Sequence, residues 1–257
     1  MMIKYLLNSL FQIISHMELA EATALLLSND GKQEIVYFLE QTEKTSGKKY
    51  LEILAAGTRD ADLPLSGGYI CTLSHFHHPW SHRGYLLSKS SADETAAISS
   101  TATTLWQEGK QADAIYQLGR ALHLIQDIFI PQHSGITGSK GHGEFEKWLT
   151  DHWPPYQVTS GGYYEWEQDF YADNGKHHHV TSKKAYDWID YGSHLSIAWY
   201  EQYFASGQYD ENTFRSVAPL VVAHALRFSA GFINFFFTHA NNTEANKAAE
   251  NDHLTTG

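Results

Sequence analysis

The stretch Gly119-Arg120-Ala121-Leu122-His123-Leu124-Ile125-Gln126-Asp127-Ile128-Phe129-Ile130-Pro131-Gln132-His133 decides how this chain is read. His123 and Asp127 stand four apart on a predicted helix, so both project from one face and can meet one ion. Ala121, Leu122, Leu124, Ile125 and Ile128 make that helix apolar on most of its sides. An Asp and a His buried in such surroundings must be paired or metal-bound to offset their desolvation. Pro131 ends the helix, and His133 falls just beyond. Further on, His142-Gly143-Glu144-Phe145-Glu146 repeats the same spacing on a following helix. Imidazole and carboxylate donors from adjacent helices are what zinc takes where cysteine is scarce.

Working outward, helical periodicity dominates, and no run of alternating strands is evident. Helices are predicted at 15–28, 31–45, 48–57, 92–108, 110–130, 142–152, 183–206 and 211–239. The apolar run from Val217 to Phe237 is interrupted by Pro219, His224, Arg227 and Asn234, which suits a buried core helix better than a bilayer span. Two long connectors, Thr58 to Ser91 and Trp153 to Lys183, break the pattern, and long connectors inside a compact domain usually serve function. The first holds His75, His77, His78 and His82; the second holds His177, His178 and His179. The tail over 241–257 is polar and is expected to be disordered. With no repeat and no linker composition, the expectation is a single all-α domain over 1–240.

The bulk numbers narrow the chemistry. A length of 257 residues allows one large core, and 16 histidines raise the prior for a metal site. A formal net charge of -11 argues against a protein that coats nucleic acid by neutralising phosphates. It leaves room for a local cationic site, because a bound metal adds charge that a residue count omits. The single cysteine, Cys71, excludes an internal disulfide framework and a thiolate-rich zinc site. Lys4 followed by Tyr5 to Ile14 weakly imitates a signal peptide but lacks a small-x-small cleavage site before His16, so an ordinary first helix is expected and the compartment stays open.

Ala-Leu-His, three residues, Asp, then Pro two residues before His, followed by His-x-x-x-Glu, resembles the signature of the zinc-dependent phospholipase C family. Bacterial broad-range phospholipases C, the clostridial alpha-toxin and, more distantly, the fungal single-strand-specific zinc nucleases share it. Ala61-Asp62-Leu63 and Ser74-His75-Phe76-His77-His78-Pro79 resemble two further segments of the family, and Ser15-His16 resembles its first-helix histidine. The matches run from His16 to Glu146. The interval from His133 to His142 is shorter than in the bacterial phospholipases, so a loop is trimmed there.

The resemblance implies a single compact helical domain and two or three zinc ions per chain. One metal position would use Asp62, His75, His123 and Asp127. A second would use His16, a bridging Asp127, and the backbone amine and carbonyl of the mature N-terminal residue. The relatives place a Trp there; here Met1 fills the role, the chain is processed differently, or that metal is weakly held. A third position would use His133, His142 and Glu146, three protein ligands that leave the ion open to water and substrate. Two ions bridged by Asp127 would sit within about 4 Å and make hydroxide available for in-line attack on phosphorus. Asp62 is the carboxylate expected to orient or deprotonate the attacking water, and Asp127 is expected to be indispensable.

The implied reaction is hydrolysis of a glycerophospholipid at a membrane surface to diacylglycerol and a phosphorylated headgroup, with peripheral, transient membrane contact. Relatedness to the zinc nucleases makes single-stranded nucleic acid the alternative substrate, and a silent metal- or lipid-binding helical module is a third reading. The family's secreted habit and the poor signal peptide point to different compartments. Phe76, Trp80, Tyr85, Trp153, Tyr163, Tyr164 and Trp166 are either membrane-facing, base-stacking or core. His77, His78 and His82 read as rim groups, His177 to His179 as a solvated loop able to hold metal adventitiously, and His194 and His224 as hydrogen-bonded core residues. The aromatic residues of the family's choline pocket are not evident, since Leu63 follows Asp62 and Thr72 lies three before His75.

Overall fold

Every residue from Ala121 to Asp127 is buried, and the helices are arranged to cover that segment. The computed structural model describes the backbone of residues 2–62 and 72–255, with side chains over 16–62 and 74–241. Its elements in chain order are α1 (Met2–Asn29), α2 (Gln33–Glu40), α3 (Tyr50–Asp60), α4 (Ser91–Gln107), α5 (Gln111–Asp127), α6 (Pro131–Ser134), α7 (His142–His152), β1 (Glu167–Tyr171), β2 (His177–Thr181), α8 (Ala185–Tyr203) and α9 (Glu211–Thr255). The chain is all-α, with one hairpin as its sheet among the described residues. That hairpin departs from the loop expected at Trp153 to Lys183. β1 and β2 pair antiparallel with Asp169 opposite His179 and Phe170 opposite His178, around a turn that uses Gly175 at φ 79°.

α5 is the central strut, packed against α3, α4, α9 and α1. Its closest neighbour is α3, and the reason is glycine. A Cβ at Gly57 would lie 2.2 Å from the Tyr116 carbonyl oxygen, and one at Gly119 would lie 2.1 Å from that of Leu54. The two backbones therefore cross nearly in contact, which brings the C-terminal end of α3 beside the histidine turn of α5. A Phe- and Trp-rich layer closes the far side: Trp188 of α8 and Phe228, Phe232 and Phe236 of α9 are fully buried. The span Glu211–Asn241 has the length and mean hydropathy, 1.5, of a membrane helix, but 72% of its apolar window is buried inside the molecule. It is core, as its interrupting polar residues suggest.

Local rules place the joints. α5 ends at Asp127 rather than at 130, because Ile130 precedes Pro131 and is held extended at φ -68° and ψ 113°. Pro131 then opens the four-residue α6 at a position where its missing N–H costs nothing. Gly141, at φ 80°, turns the chain into α7. The backbone of the expected tail is helical as far as Thr255, and its side chains beyond 241 lie outside the described residues.

Candidate metal centre

Asp127, 4% exposed, is the hub. Its Oδ2 lies 2.8 Å from His75 Nδ1, 3.3 Å from His123 Nε2 and 3.4 Å from His133 Nδ1, while its Oδ1 lies 3.2 Å from His16 Nε2. One carboxylate thus meets imidazoles from α1, the turn at 72–75, its own helix and α6. Asp62, just past α3, brings a second carboxylate 3.4 Å from His123 Nε2 and 3.7 Å from His75 Nδ1. On the other flank, α6 and α7 set His133 Nε2 and His142 Nε2 2.8 Å apart, with Glu146 Oε1 2.8 Å from His142 and 3.5 Å from His133.

The structure therefore brings together His16, Asp62, His75, His123, Asp127, His133, His142 and Glu146; Met1 lies outside the described residues, as do Leu63 and Cys71. Three groups offer donor atoms to an ion: His16, His123 and Asp127; Asp62, His75 and His123, which shares His123 with the first; and, separately, His133, His142 and Glu146. Nitrogen and oxygen donors without thiolate fit zinc. The protein-only interactions are also incomplete in a way a cation would mend. Nε2 of His133 and Nε2 of His142 face each other at 2.8 Å beside the Glu146 carboxylate, an approach that a cation taking both lone pairs would relieve.

The charges in the metal-free cluster follow from this crowding. Burial opposes ionisation of Asp62, but the His123 and His75 charges outweigh it and hold the carboxyl down to about 2. Burial likewise opposes Asp127, which His123 and His133 keep well below the usual carboxylate range. His123 is pushed well above an ordinary imidazole by Asp62 and Asp127 in spite of its burial. Burial lowers His133, whereas Glu146 overcomes burial to raise His142 and is itself lowered by it.

Gln126 was not singled out in the sequence. Its Oε1 accepts from His16 Nδ1 at 2.7 Å, which fixes the imidazole tautomer and turns Nε2 toward Asp127. The signal was present only as a polar residue in an apolar helix. Phe76 and Trp153 are buried rather than lipid-facing: Phe76 packs at 4.7 Å on His133, and the Trp153 indole donates to Glu18 at 2.9 Å. Tyr163, Tyr164 and Trp166 pack on the core.

A second group of histidines departs from its expected roles. His77 is fully buried, not a rim residue, and its Nε2 lies 2.9 Å from Asp190 Oδ1 of α8. His178 sits on β2, not on a loop, with Nε2 2.9 Å from Asp190 Oδ2. His194 stacks on Phe170 at 3.8 Å, as a core residue would. Burial pushes the Asp190 carboxyl up to about 6 and the His77 imidazole down to about 4.

Fold and site define a class: all-helical proteins that gather histidine and acidic side chains from several helices into a buried cluster able to hold metal. The description "Zinc dependent phospholipase C" belongs to the family whose profile matches residues 15–210, and the chain is a member of that family. Two proteins named phospholipase C from Clostridium perfringens strains are similar to it. One is 27% identical over 155 residues, covering 52% of this chain and 38% of the relative; the other is 23% identical over 202 residues, covering 62% and 50%. The chain thus spans half or less of the length of these relatives. Among solved structures, an alpha-toxin from Clostridium absonum superposes with a TM-score of 0.69 at 17% identity, over 88% of this chain and 64% of that one. The alpha-toxin of a Clostridium perfringens avian strain gives 0.61 at 18% identity with the same coverage. At these identities the structural likeness establishes the all-α fold.

Proposed function

We propose that the chain is a zinc-dependent phosphodiester hydrolase that cleaves glycerophospholipids to diacylglycerol and a phosphorylated headgroup. The observation that carries this reading is the convergence of His16, His75, His123 and His133 on Asp127 beside the His142–Glu146 pair. The ligand sets would be Asp62, His75, His123 and Asp127; His16 and Asp127, with Met1 where the chain terminus serves; and His133, His142 and Glu146. Zinc held there would supply positive charge to phosphate oxygens and acidify a water.

The protein's own part is positioning. His123 and His75 are buried, while His16, Asp62, His142 and Glu146 keep 13%, 13%, 16% and 13% of their side-chain surface exposed, so the cluster is open to solvent on both flanks of Asp127. Asp62, held ionised by its histidine neighbours, accepts a hydrogen bond from the attacking water and aims its oxygen at phosphorus. As the water oxygen bonds phosphorus, the P–O bond to glycerol breaks, and the proton the water gives up ends on the departing oxygen to leave diacylglycerol. Asp127 holds the histidines in register around the reacting centre.

The relatives' shared name favours lipid over nucleic acid, and one surface feature agrees. Leu86 and Leu87 are 75% and 103% exposed, next to Tyr85, whose ring packs on Phe76, which in turn packs on His133. Two leucines at a loop tip beside the site suit shallow contact with a bilayer. Zinc-loaded protein should release phosphorylated headgroup from phosphatidylcholine–phosphatidylethanolamine vesicles and leave single-stranded DNA intact. Replacing Leu86 and Leu87 by Ser should lower vesicle turnover while sparing a short-chain, monomeric substrate. DNA hydrolysis without headgroup release would overturn the lipid reading.

A further inference from the structure

The chain divides its histidines at a single bend. His75 turns to Asp127, while His77, two residues on, turns the other way to Asp190 and ties its own N–H to the His133 carbonyl at 3.2 Å. Around Asp190, itself wholly buried, stand His77 with Nε2 at 2.9 Å from Oδ1, His82 with Nδ1 at 3.5 Å from Oδ1, and His178 with Nε2 at 2.9 Å from Oδ2. His77, His82 and Asp190 offer donor atoms within 4.8 Å of one another, as do His178, Asp190 and His194.

The interactions within this cluster are unfinished. Asp190 Oδ2 and His82 Nδ1, which face into the cluster, are buried without a hydrogen-bond partner; the 2.9 Å approach of His178 to Oδ2 is off the hydrogen-bond direction. Lys176, whose charge reaches Asp190 and His82, gives its ammonium instead to the Trp80 carbonyl. A buried carboxylate with an unpartnered oxygen is costly, and imidazole donors that approach its two oxygens from the loop after His75 and from β2 are what a cation beside it satisfies. The outer contacts fit as well. His194 Nε2 lies 3.3 Å from His178 Nδ1, so a proton on Nδ1 shared with His194 leaves His178 Nε2 free to bind.

We propose that His77, His82, His178 and Asp190 form a binding site for one divalent cation of the zinc class, separate from the Asp127 cluster. Three imidazoles and one carboxylate match zinc in donor type and number, and four protein ligands close its shell. The site is structural. It clamps the β1–β2 hairpin and the loop after His75 onto α8, and so steadies the chain segment that also carries His75.

The test is zinc content after saturation with the metal alone and removal of excess, read by elemental mass spectrometry and native mass spectrometry. His82→Gln/His178→Gln removes two ligands whose side chains are 31% and 21% exposed, so folding should survive. That variant should hold one zinc fewer per chain, keep its hydrolytic activity at saturating zinc, and lose part of the chelator-dependent shift in melting temperature. Asp190→Asn should do the same; if burial prevents it from folding, the double variant decides. His177→Gln/His179→Gln, in the exposed neighbouring pair, should leave the count unchanged. A double His82/His178 variant with a native circular-dichroism spectrum and the wild-type zinc count would overturn the proposal. So would loss of the ion from the His177/His179 variant.

Discussion

Replacing Gly119 with Ala should damage both stability and catalysis, although alanine is the better helix former. The added Cβ would sit 2.1 Å from the Leu54 carbonyl oxygen, where ordinary contact begins at 3.4 Å. The obstruction is backbone, so it is relieved only if α3 and α5 separate by about 1.3 Å, the difference between those distances. Overpacking of this kind costs about 3 kcal/mol at its upper end. Alanine's helix preference returns about 1 kcal/mol. The net loss of about 2 kcal/mol corresponds to a melting temperature about 4–8 °C lower for a chain of this size. Because α3 leads into Asp62 and α5 carries His123, now 3.4 Å apart, the same displacement opens the candidate site. A misplacement of about 1 Å at a reacting centre costs on the order of 100-fold in rate. Calorimetry and headgroup release on the same preparation measure both effects. Gly143→Ala is the control: a Cβ there meets nothing within 4 Å, so it should stabilise by about 0.4–1 kcal/mol and leave turnover unchanged. If Gly119→Ala melted at or above the wild-type temperature, the helices would not be in backbone contact and the reasoning would fail.

Asp127→Asn keeps the side-chain shape but removes the charge that four imidazoles face, so headgroup release should fall to background and at least one zinc equivalent should be lost; wild-type turnover would remove Asp127 from the centre of the chemistry. Gln126→Leu deletes the acceptor that fixes His16 Nδ1 and should weaken the ion bound through His16 by about 10–100-fold, read by competition with a chromophoric chelator; unchanged affinity would make Gln126 a packing residue. In chelator-treated protein, Asp62 has a folded-state pKa of about 2 against an ordinary 3.8, a depression that contributes about 2 kcal/mol above pH 4 and is lost as pH falls from about 4 toward 2. Asp62→Asn should flatten that part of the metal-free melting curve against pH, and an identical acid slope in the variant would refute the assignment.

The sequence by itself determined the local geometry. Apolar periodicity specified the helices, since a helix repeats every 3.6 residues whatever surrounds it. The same rule paired His123 with Asp127 at 3.3 Å and His142 with Glu146 at 2.8 Å. Pro131 and Gly141 marked the joints through their own backbone limits. What spacing could not contain is which distant turns meet. Gln126 reaches His16 across 110 residues, and His77 reaches Asp190 across 113. The hairpin of Glu167–Tyr171 and His177–Thr181 was hidden too, because its residues alternate weakly and owe their extended form to packing on α8. Only the close crossing of α3 and α5 at Gly57 and Gly119, and the seating of β2 over α8, decided that the histidines form two clusters rather than one. The physical reason is that helical register is enforced by bonds four residues apart, whereas convergence on Asp127 or Asp190 is enforced by core packing that only the folded chain supplies.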